Sequence, residues 1–314
     1  MATSGSSTEV DAVVVGGGVA GLASALWLAR YRRSVVVLDS GDYRAAKVEA
    51  SHGYLGRDPQ TPLELLERGR EEVLRYPTAT LVQGRAEPVV RRADGRFDVG
   101  SLVAHRVVLA CGVFDVKPEL QGFDEHYGAS LFHCPACDGY EARDRDIVAL
   151  GWDAHLVGFA CTMLNWARSI TVVTNGHHFD GDESCRSLLA SHDIELVEED
   201  AVRLFGTRGS LEGLCLQSGR LLTTSLVFFS IAHEPRTELA TSLGCRLDEE
   251  GYVVVDAEGQ TRCRASTPQG TSPRPAAGAG RRKLGGRRRG GRRAVAVRYA
   301  GRTQLADARP ELTS

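Results

Sequence analysis

Residues 11–21 read DAVVVGGGVAG, and the chain continues LASALWLARYRRSVVVLD up to Asp39. The β-branched run 11–15 has the composition of a strand buried on both faces of a parallel sheet. The apolar stretch 12–29 has about the length of a membrane span. Gly16, Gly17, Gly18 and Gly21 interrupt it, however, and it reads as strand, turn and helix. Leu22, Ala25, Leu26 and Ala29 fall at helical spacing over 19–31, and 34–38 (SVVVL) is a second buried strand that ends in Asp39. Together these make one βαβ unit of about thirty residues. Gly16, Gly18 and Gly21 fill the fixed places of G-x-G-x-x-G. The first permits the tight turn, the second lets backbone amides approach a pyrophosphate, and the third lets the helix pack close to the sheet. The helix start offers unpaired N–H groups and partial positive charge to that anion. Asp39 lies 23 residues after Gly16, where its carboxylate can accept ribose hydroxyls. Dinucleotide binding is the expected role, and a glycine turn that only packs is the alternative.

Outward from this unit, the pattern predicts a helix over 62–74 and strands over 79–83, 97–99 and 106–110, the last stopped by Gly112. It then restarts. Residues 146–150 (DIVAL) are a strand, Gly151 a turn, 156–167 a helix and 169–174 (SITVVT) the strand that closes a second βαβ unit. Later strands are expected over 226–231 and 252–256. Two such openings, about 135 residues apart, indicate two nucleotide-type α/β domains and not a repeat array.

Charge divides the chain differently. Its 314 residues hold 38 Lys+Arg and 40 Asp+Glu, net -2. Residues 1–261 carry 24 basic and 38 acidic residues, whereas 262–314 carry 14 basic residues against Asp307 and Glu311. With 42% hydrophobic and 25% charged residues, the body reads as soluble and globular. Eight cysteines are too few for a disulfide scaffold, and residues 1–9 show no secretory signal, so a cytoplasmic setting without membrane attachment is expected.

Residues 134–139, CPACDG, are the chemical centre of the sequence. Two thiols two residues apart can close a small disulfide ring, and one of them can attack a partner disulfide as its thiolate. Asp138 supplies a carboxyl group able to move protons during that exchange. Structural zinc is the rival reading, but no second Cys-x-x-Cys accompanies the pair, and His126 and His133 are poorly spaced to complete a tetrahedral site. Cys111 reads as a small packing residue. Cys161, Cys185, Cys215, Cys245 and Cys263 read as structural or incidental.

The N-terminal glycine motif, the second βαβ unit and the CPACDG just before it resemble the low-molecular-weight thioredoxin reductases. Residues 52–58 (HGYLGRD) and 133–141 (HCPACDGYE) are similar to thioredoxin reductase-like bacterial flavoproteins, a group that includes dithiol oxidases of small metabolites. The resemblance covers roughly residues 10–261. It implies an FAD domain (10–117 and 237–261) interrupted by a smaller NAD(P)-binding-like domain (118–236) that carries the Cys-x-x-Cys. FAD would lie against Gly16, Gly18 and Gly21, with Asp39 on the adenosine ribose and Gly112 close by. Cys137 would face the flavin, Cys134 would exchange with the external substrate, and Asp138 would be the acid/base. Electrons would run from NADPH or NADH through FAD and the Cys134–Cys137 disulfide to a thioredoxin-like protein or a small disulfide, in a homodimer.

Three departures bear on that expectation. Around Gly151 the second nucleotide motif reads GWDAHL, with Asp153 where the family has its second glycine. A carboxylate there repels a pyrophosphate by on the order of a kcal/mol or more. Asn175, Gly176, His177 and His178 follow the next strand in place of the basic cluster that holds a 2′-phosphate. Such a motif would suit an alternative, an oxygen-dependent dithiol oxidase that needs no nicotinamide. Finally, the family's T-x-V-P-G-V-Y-A-A-G-D segment, whose Asp contacts the flavin, has no counterpart after residue 261. An Arg/Gly-rich stretch stands there, in a chain with 35 Arg and three Lys. We read 262–314 as a disordered tail, out of frame in a GC-rich gene, and expect no nucleic-acid binding because Tyr299 is its one aromatic. If the closing segment is lost, a non-catalytic remnant with impaired FAD binding is the further alternative.

Overall fold

The valine run after Thr8 forms β1 (Thr8–Val15), and Val13 and Val14 are fully buried within it. The computed structural model describes residues 8–86, 88–261 and 295–296. They divide into two compact units, one made of the described residues within 1–41, 69–112 and 235–314 and the other of those within 42–68 and 113–234. Compared with the 118–236 drawn from sequence, the second unit also takes in residues 42–68.

In the first unit β1 is followed by α1 (Val19–Arg30), β2 (Val35–Asp39), α2 (Pro62–Leu74, which begins in the other unit), β3 (Ala79–Gln83), β4 (Val89–Arg91), β5 (Phe97–Val99) and β6 (Leu102–Leu109). The sheet order is β3-β2-β1-β6-β5-β4. Its β3-β2-β1-β6 half is parallel, and the other pairings are antiparallel. Val35 opposite Ala12 sets the register that brings Asp39 to the strand end beside the glycine turn. Val13, Val15, Val36, Phe97, Val107 and Leu109 form the core, on which Ala240 and Leu243 from the short helix Glu238–Ser242 pack.

The second unit carries β7 (Val113–Val116), α3 (Phe123–His126), β8 (Leu131–Phe132), α4 (Pro135–Asp138), β9 (Asp146–Leu150), α5 (His155–Met163), β10 (Ser169–Val173), α6 (Glu183–Ser191), β11 (Glu195–Val197), β12 (Ala201–Thr207), β13 (Ser210–Leu216), β14 (Leu221–Thr223), β15 (Leu226–Phe229) and β16 (Ala232–Pro235). Five parallel strands run in the order β11-β10-β9-β15-β8, with β12-β13-β14 as an antiparallel sheet and β7 paired with β16. This is the expected α/β class with two Rossmann-like sheets.

Two expectations change. Residues 252–256 form no strand. The carboxylates of Asp248 and Asp256 accept nearby backbone N–H groups and make tight turns, leaving isolated bridges such as Leu247 to Val253. The antiparallel sheet of β12, β13 and β14 is additional to the predicted strands. Cys245 is disulfide-bonded, which agrees with the structural side of its reading. The disordered-tail, frameshift and nucleic-acid readings of 262–314 also lie outside the described residues. The exception is the pair Val295–Ala296, which joins β6 in parallel at Val108 and Leu109. Among the described residues no helix is long and apolar enough to cross a membrane.

Candidate functional site

The predicted residues fall into one constellation in each unit. In the first, Gly16 has φ of 112°, and a Cβ there would stand 2.3 Å from the Ala110 carbonyl oxygen. A Cβ on Gly21 would stand 1.8 Å from the Gly16 carbonyl oxygen, so the helix and the turn touch through backbone alone. Gly18 differs, since a Cβ there would meet no atom of the described residues within 4 Å. It is the N-cap of α1, no side chain of the described residues caps it, and the first turn of α1 carries no acidic residue. The open space in front of Gly18 is therefore bounded by helix amides with no intrahelical partners, and a pyrophosphate fits it.

Asp39 is 8% exposed. Its carboxylate accepts the Gly41 N–H at 3.0 Å and the Arg70 guanidinium at 3.2 Å. The same side chain fills the space under Gly17, where a Cβ would come 2.1 Å from its Cγ. Gly112 follows β6 with φ of 73°, has no atom of the described residues within 4 Å of where a Cβ would be, and accepts the Arg236 N–H through its carbonyl at 3.0 Å. Burial pushes the neighbouring Cys111 thiol above its ordinary range, which suits a packing residue better than a nucleophile.

In the second unit, Cys134 and Cys137 are joined as a disulfide with Cα atoms 5.3 Å apart. Pro135 starts the short helix α4, and the Cys134 carbonyl accepts the N–H groups of Cys137 and Asp138, each at 3.1 Å. That turn closes the ring, leaving Cys137 exposed and Cys134 half-buried. Gly139 comes next because a Cβ there would strike the Trp166 ring at 2.7 Å.

Asp138 is 7% exposed, and its pKa is raised to about 7, first by burial and then by the charge of Glu141, with His52 acting in the opposite sense. Between about pH 4 and 7 the unfolded chain has released this proton while the folded chain keeps it. Stability is therefore lost as pH rises through that window, and the loss is complete above about 7. Asp138→Asn should unfold at higher urea than the native chain. The gap is expected to be absent near pH 4 and to grow to a few kcal/mol by about pH 7.5. Urea titrations across that range check the sign.

Around His133, the residue before Cys134, Arg44 forms a two-toothed ion pair with Asp115 at 2.5 Å, and Asp115 accepts the Tyr127 hydroxyl at 3.0 Å. Tyr127 Oη lies 3.3 Å from His133 Nδ1. Because the hydroxyl hydrogen points to Asp115, its oxygen accepts the imidazole Nδ1–H, which keeps the other ring nitrogen as an acceptor. Burial pushes the His133 pKa down to about 4, so this ring is neutral at physiological pH. The quoted motifs contain His52, Asp58, His133 and Glu141, yet their spacing in sequence assigns them no role. Asp115 and Tyr127 carry no sequence signal at all, because only the fold brings them beside His133.

The second glycine motif also lies in this unit. A Cβ on Gly151 would stand 2.4 Å from the Ser230 carbonyl oxygen, so this glycine serves strand packing. Asp153 Oδ1 accepts the Leu156 N–H at 3.2 Å, in the first turn of α5. Trp152 stacks on His177 with centroids 3.9 Å apart. One amide in the first turn of α5 is thus shared between the backbone carbonyl and the carboxylate of Asp153, which puts an acidic group where a pyrophosphate would approach.

The pyridine nucleotide-disulphide oxidoreductase family matches residues 10–265. A thioredoxin reductase of Claviceps purpurea, tcpT, is 34% identical over 80% of this chain and 82% of its own length. The crystal structure of HlmI superposes with a TM-score of 0.76 at 33% identity, covering 81% of this chain and 82% of that one. An oxidoreductase of Agrobacterium tumefaciens superposes at 0.73 and 29% identity, over 82% and 88% of the two chains. The open glycine cradle, the Cys134–Cys137 disulfide and these matches agree, and the chain belongs to the pyridine nucleotide-disulphide oxidoreductase family as a thioredoxin reductase-like member.

Proposed function

We propose that the protein is an FAD-dependent thiol–disulfide oxidoreductase whose Cys134–Cys137 pair exchanges electrons with an external dithiol or disulfide. The observation that carries this is the closed disulfide set one residue before a buried acid, Asp138. FAD, when bound against Gly16, Gly18 and Gly21 with Asp39 at its ribose, supplies a two-electron carrier. The chain's own residues do the rest. One cysteine forms the mixed disulfide with the external sulfur, the other leaves as thiolate, and Asp138 holds the proton released or taken up. Neutral His133, oriented by Tyr127 and Asp115, offers a fixed acceptor next to Cys134. By family resemblance Cys134 meets the substrate and Cys137 the flavin.

For the electron donor, the hydrogen bond from the Leu156 N–H to Asp153 favours the second sequence reading over the NAD(P)H path. In that reading a small-molecule dithiol delivers electrons through Cys134 and Cys137, and dioxygen is the terminal oxidant. Anaerobic mixing of the flavin-loaded protein separately with dithiothreitol, NADPH and NADH tests it. The dithiol should bleach the flavin and neither nicotinamide should do so at the same concentration. Rapid bleaching by NADPH or NADH would restore the NAD(P)H:disulfide reading. A thioredoxin-like protein partner and a homodimer remain part of the family expectation, in line with the thioredoxin reductase names of the relatives.

A further inference from the structure

His133 follows β8 and precedes Cys134, at the carboxyl end of a parallel sheet, the edge at which α/β folds hold their ligands. Tyr127 and Phe229 frame its ring, with centroids 6.1 and 6.0 Å away. Tyr127 is itself 4% exposed and stacks on Phe123 at 5.6 Å, so its hydroxyl has a fixed place. Asp115 receives that hydroxyl and is gripped in turn by Arg44, whose Nε lies 2.9 Å from Oδ2. Burial works to raise the Asp115 pKa, but the Arg44 hydrogen bonds outweigh it and hold the carboxyl below its ordinary range. Asp115 is thus a charged partner that can only accept.

The consequence reaches the imidazole through a single hydrogen atom. A phenol has one O–H, and the carboxylate takes it. At Nδ1, 3.3 Å from Tyr127 Oη, the hydrogen therefore comes from the imidazole. A neutral imidazole carries one N–H, so Nε2 keeps its lone pair. Among the described residues Nε2 has no hydrogen-bond partner, and it is not one of the side-chain atoms sealed from solvent. Cys134 is the adjoining residue, its Cα about 3.8 Å away, and it is half-buried, so a molecule bonded to its sulfur is held against its neighbours. With a pKa near 4, set by burial and then by Arg44, the ring is an acceptor and not a cation. It is also too weak a base to take a thiol proton, which leaves that task to Asp138.

We propose that His133 Nε2 is a specificity-determining acceptor that selects dithiols bearing an N–H or O–H donor beside the sulfur-bearing carbon. Tyr127, Asp115 and Arg44 are the positioning residues that fix its tautomer. The selection operates within the thiol–disulfide reading above and rests on it. The donor of such a substrate meets a lone pair that cannot switch to N–H, because switching would set the Nδ1 lone pair against the Tyr127 oxygen. A substrate that presents a carbonyl or carboxylate oxygen there meets acceptor against acceptor and is disfavoured. A dithiol with methylene carbons alone leaves Nε2 unpaired. No sulfur bond and no proton transfer depends on this contact. His133 decides which dithiols enter the exchange, and the exchange itself is unchanged.

Dithiothreitol and butane-1,4-dithiol close the same cyclic disulfide and differ only in the hydroxyl groups of the first, so they are the probes. The full flavin-loaded chain is assayed for kcat/KM with each, as native, His133→Phe and Tyr127→Phe. The ratio of the two values includes the intrinsic acidities of the thiols, which no substitution in the protein alters, so its change reads the contact. The dithiothreitol-to-butanedithiol ratio should fall by about threefold to tenfold in His133→Phe, the range of one neutral hydrogen bond. Tyr127→Phe keeps the stacked ring and loses only the hydroxyl, and its ratio should fall in the same direction. NMR of the imidazole nitrogens in an isotope-labelled chain should show His133 Nε2 unprotonated in the native protein and mixed tautomers in Tyr127→Phe. A merely structural role would move neither readout. An unchanged ratio in His133→Phe, or a native ring protonated at Nε2, would overturn the proposal. If His133→Phe does not fold, Tyr127→Phe decides alone, and a native ratio and tautomer there would overturn it. Failure of the underlying reading would show separately, as turnover of both dithiols that survives Cys134→Ser.

Discussion

Cys134→Ser is expected to fold, to retain a yellow flavin, and to lose dithiol or disulfide turnover by at least about a thousandfold. The expectation follows from what serine lacks. A hydroxyl neither ionises near neutral pH nor forms a bond that a thiolate can exchange, so both the mixed disulfide and the closed ring disappear. The structural cost is small, because the ring spans four residues and its loop-closure contribution is about 2 kcal/mol. Cys137 is exposed and stays available, so Cys134→Ser should still be alkylated at Cys137. Steady-state turnover with dithiothreitol, beside a visible spectrum of the same sample, checks both halves. Colour without turnover is the predicted pair. Retained turnover would mean that the flavin reacts with substrate sulfur directly and that the disulfide is a bystander.

The second large effect is on cofactor retention. Gly18→Val is expected to purify colourless yet folded, with FAD affinity reduced by about a hundredfold or more. A Cβ at Gly18 meets no atom of the described residues within 4 Å, so the substituted backbone has room for a side chain. It occupies the space a pyrophosphate needs to reach the first amides of α1, and each charge-assisted hydrogen bond lost there costs about 1.5–3 kcal/mol. Gly21→Val is the contrasting control. Its Cβ would stand 1.8 Å from the Gly16 carbonyl oxygen, so that variant should fail to fold and not merely lose colour. Flavin fluorescence titration and thermal melts of the two variants separate the cases. A yellow Gly18→Val chain would place the flavin elsewhere.

The parts of this fold that were legible in sequence are those where one physical requirement acts on contiguous residues. Residues 11–39 announce strand, turn and helix because valines, glycines and a helical apolar face follow each other without interruption. The bounds of α2 and β3 could be drawn to the residue because Pro62 starts the one and Pro77 lies between them. Residues 252–256 misled because YVVVD has strand composition, whereas the carboxylates of Asp248 and Asp256 turn the backbone before a ladder can form. The disulfide was legible for the same reason as the glycine turn, being local. The groups that tune it were not. Asp115, Tyr127 and Arg44 come from separate elements. Their hydrogen bonds depend on tertiary packing, which leaves no period in the sequence. Asp153 lies between these cases. Its identity alone argued against a pyrophosphate, and the structure adds that its carboxylate accepts from an amide in the first turn of α5.

The central claim is that Cys134 and Cys137 share electrons with a bound flavin. An anaerobic reductive titration counts those electrons. The native chain should take up about four per molecule, two for the flavin and two for the disulfide, and Cys134→Ser about two. Uptake of only two by the native chain, or a native protein that stays colourless when FAD is added, would contradict it.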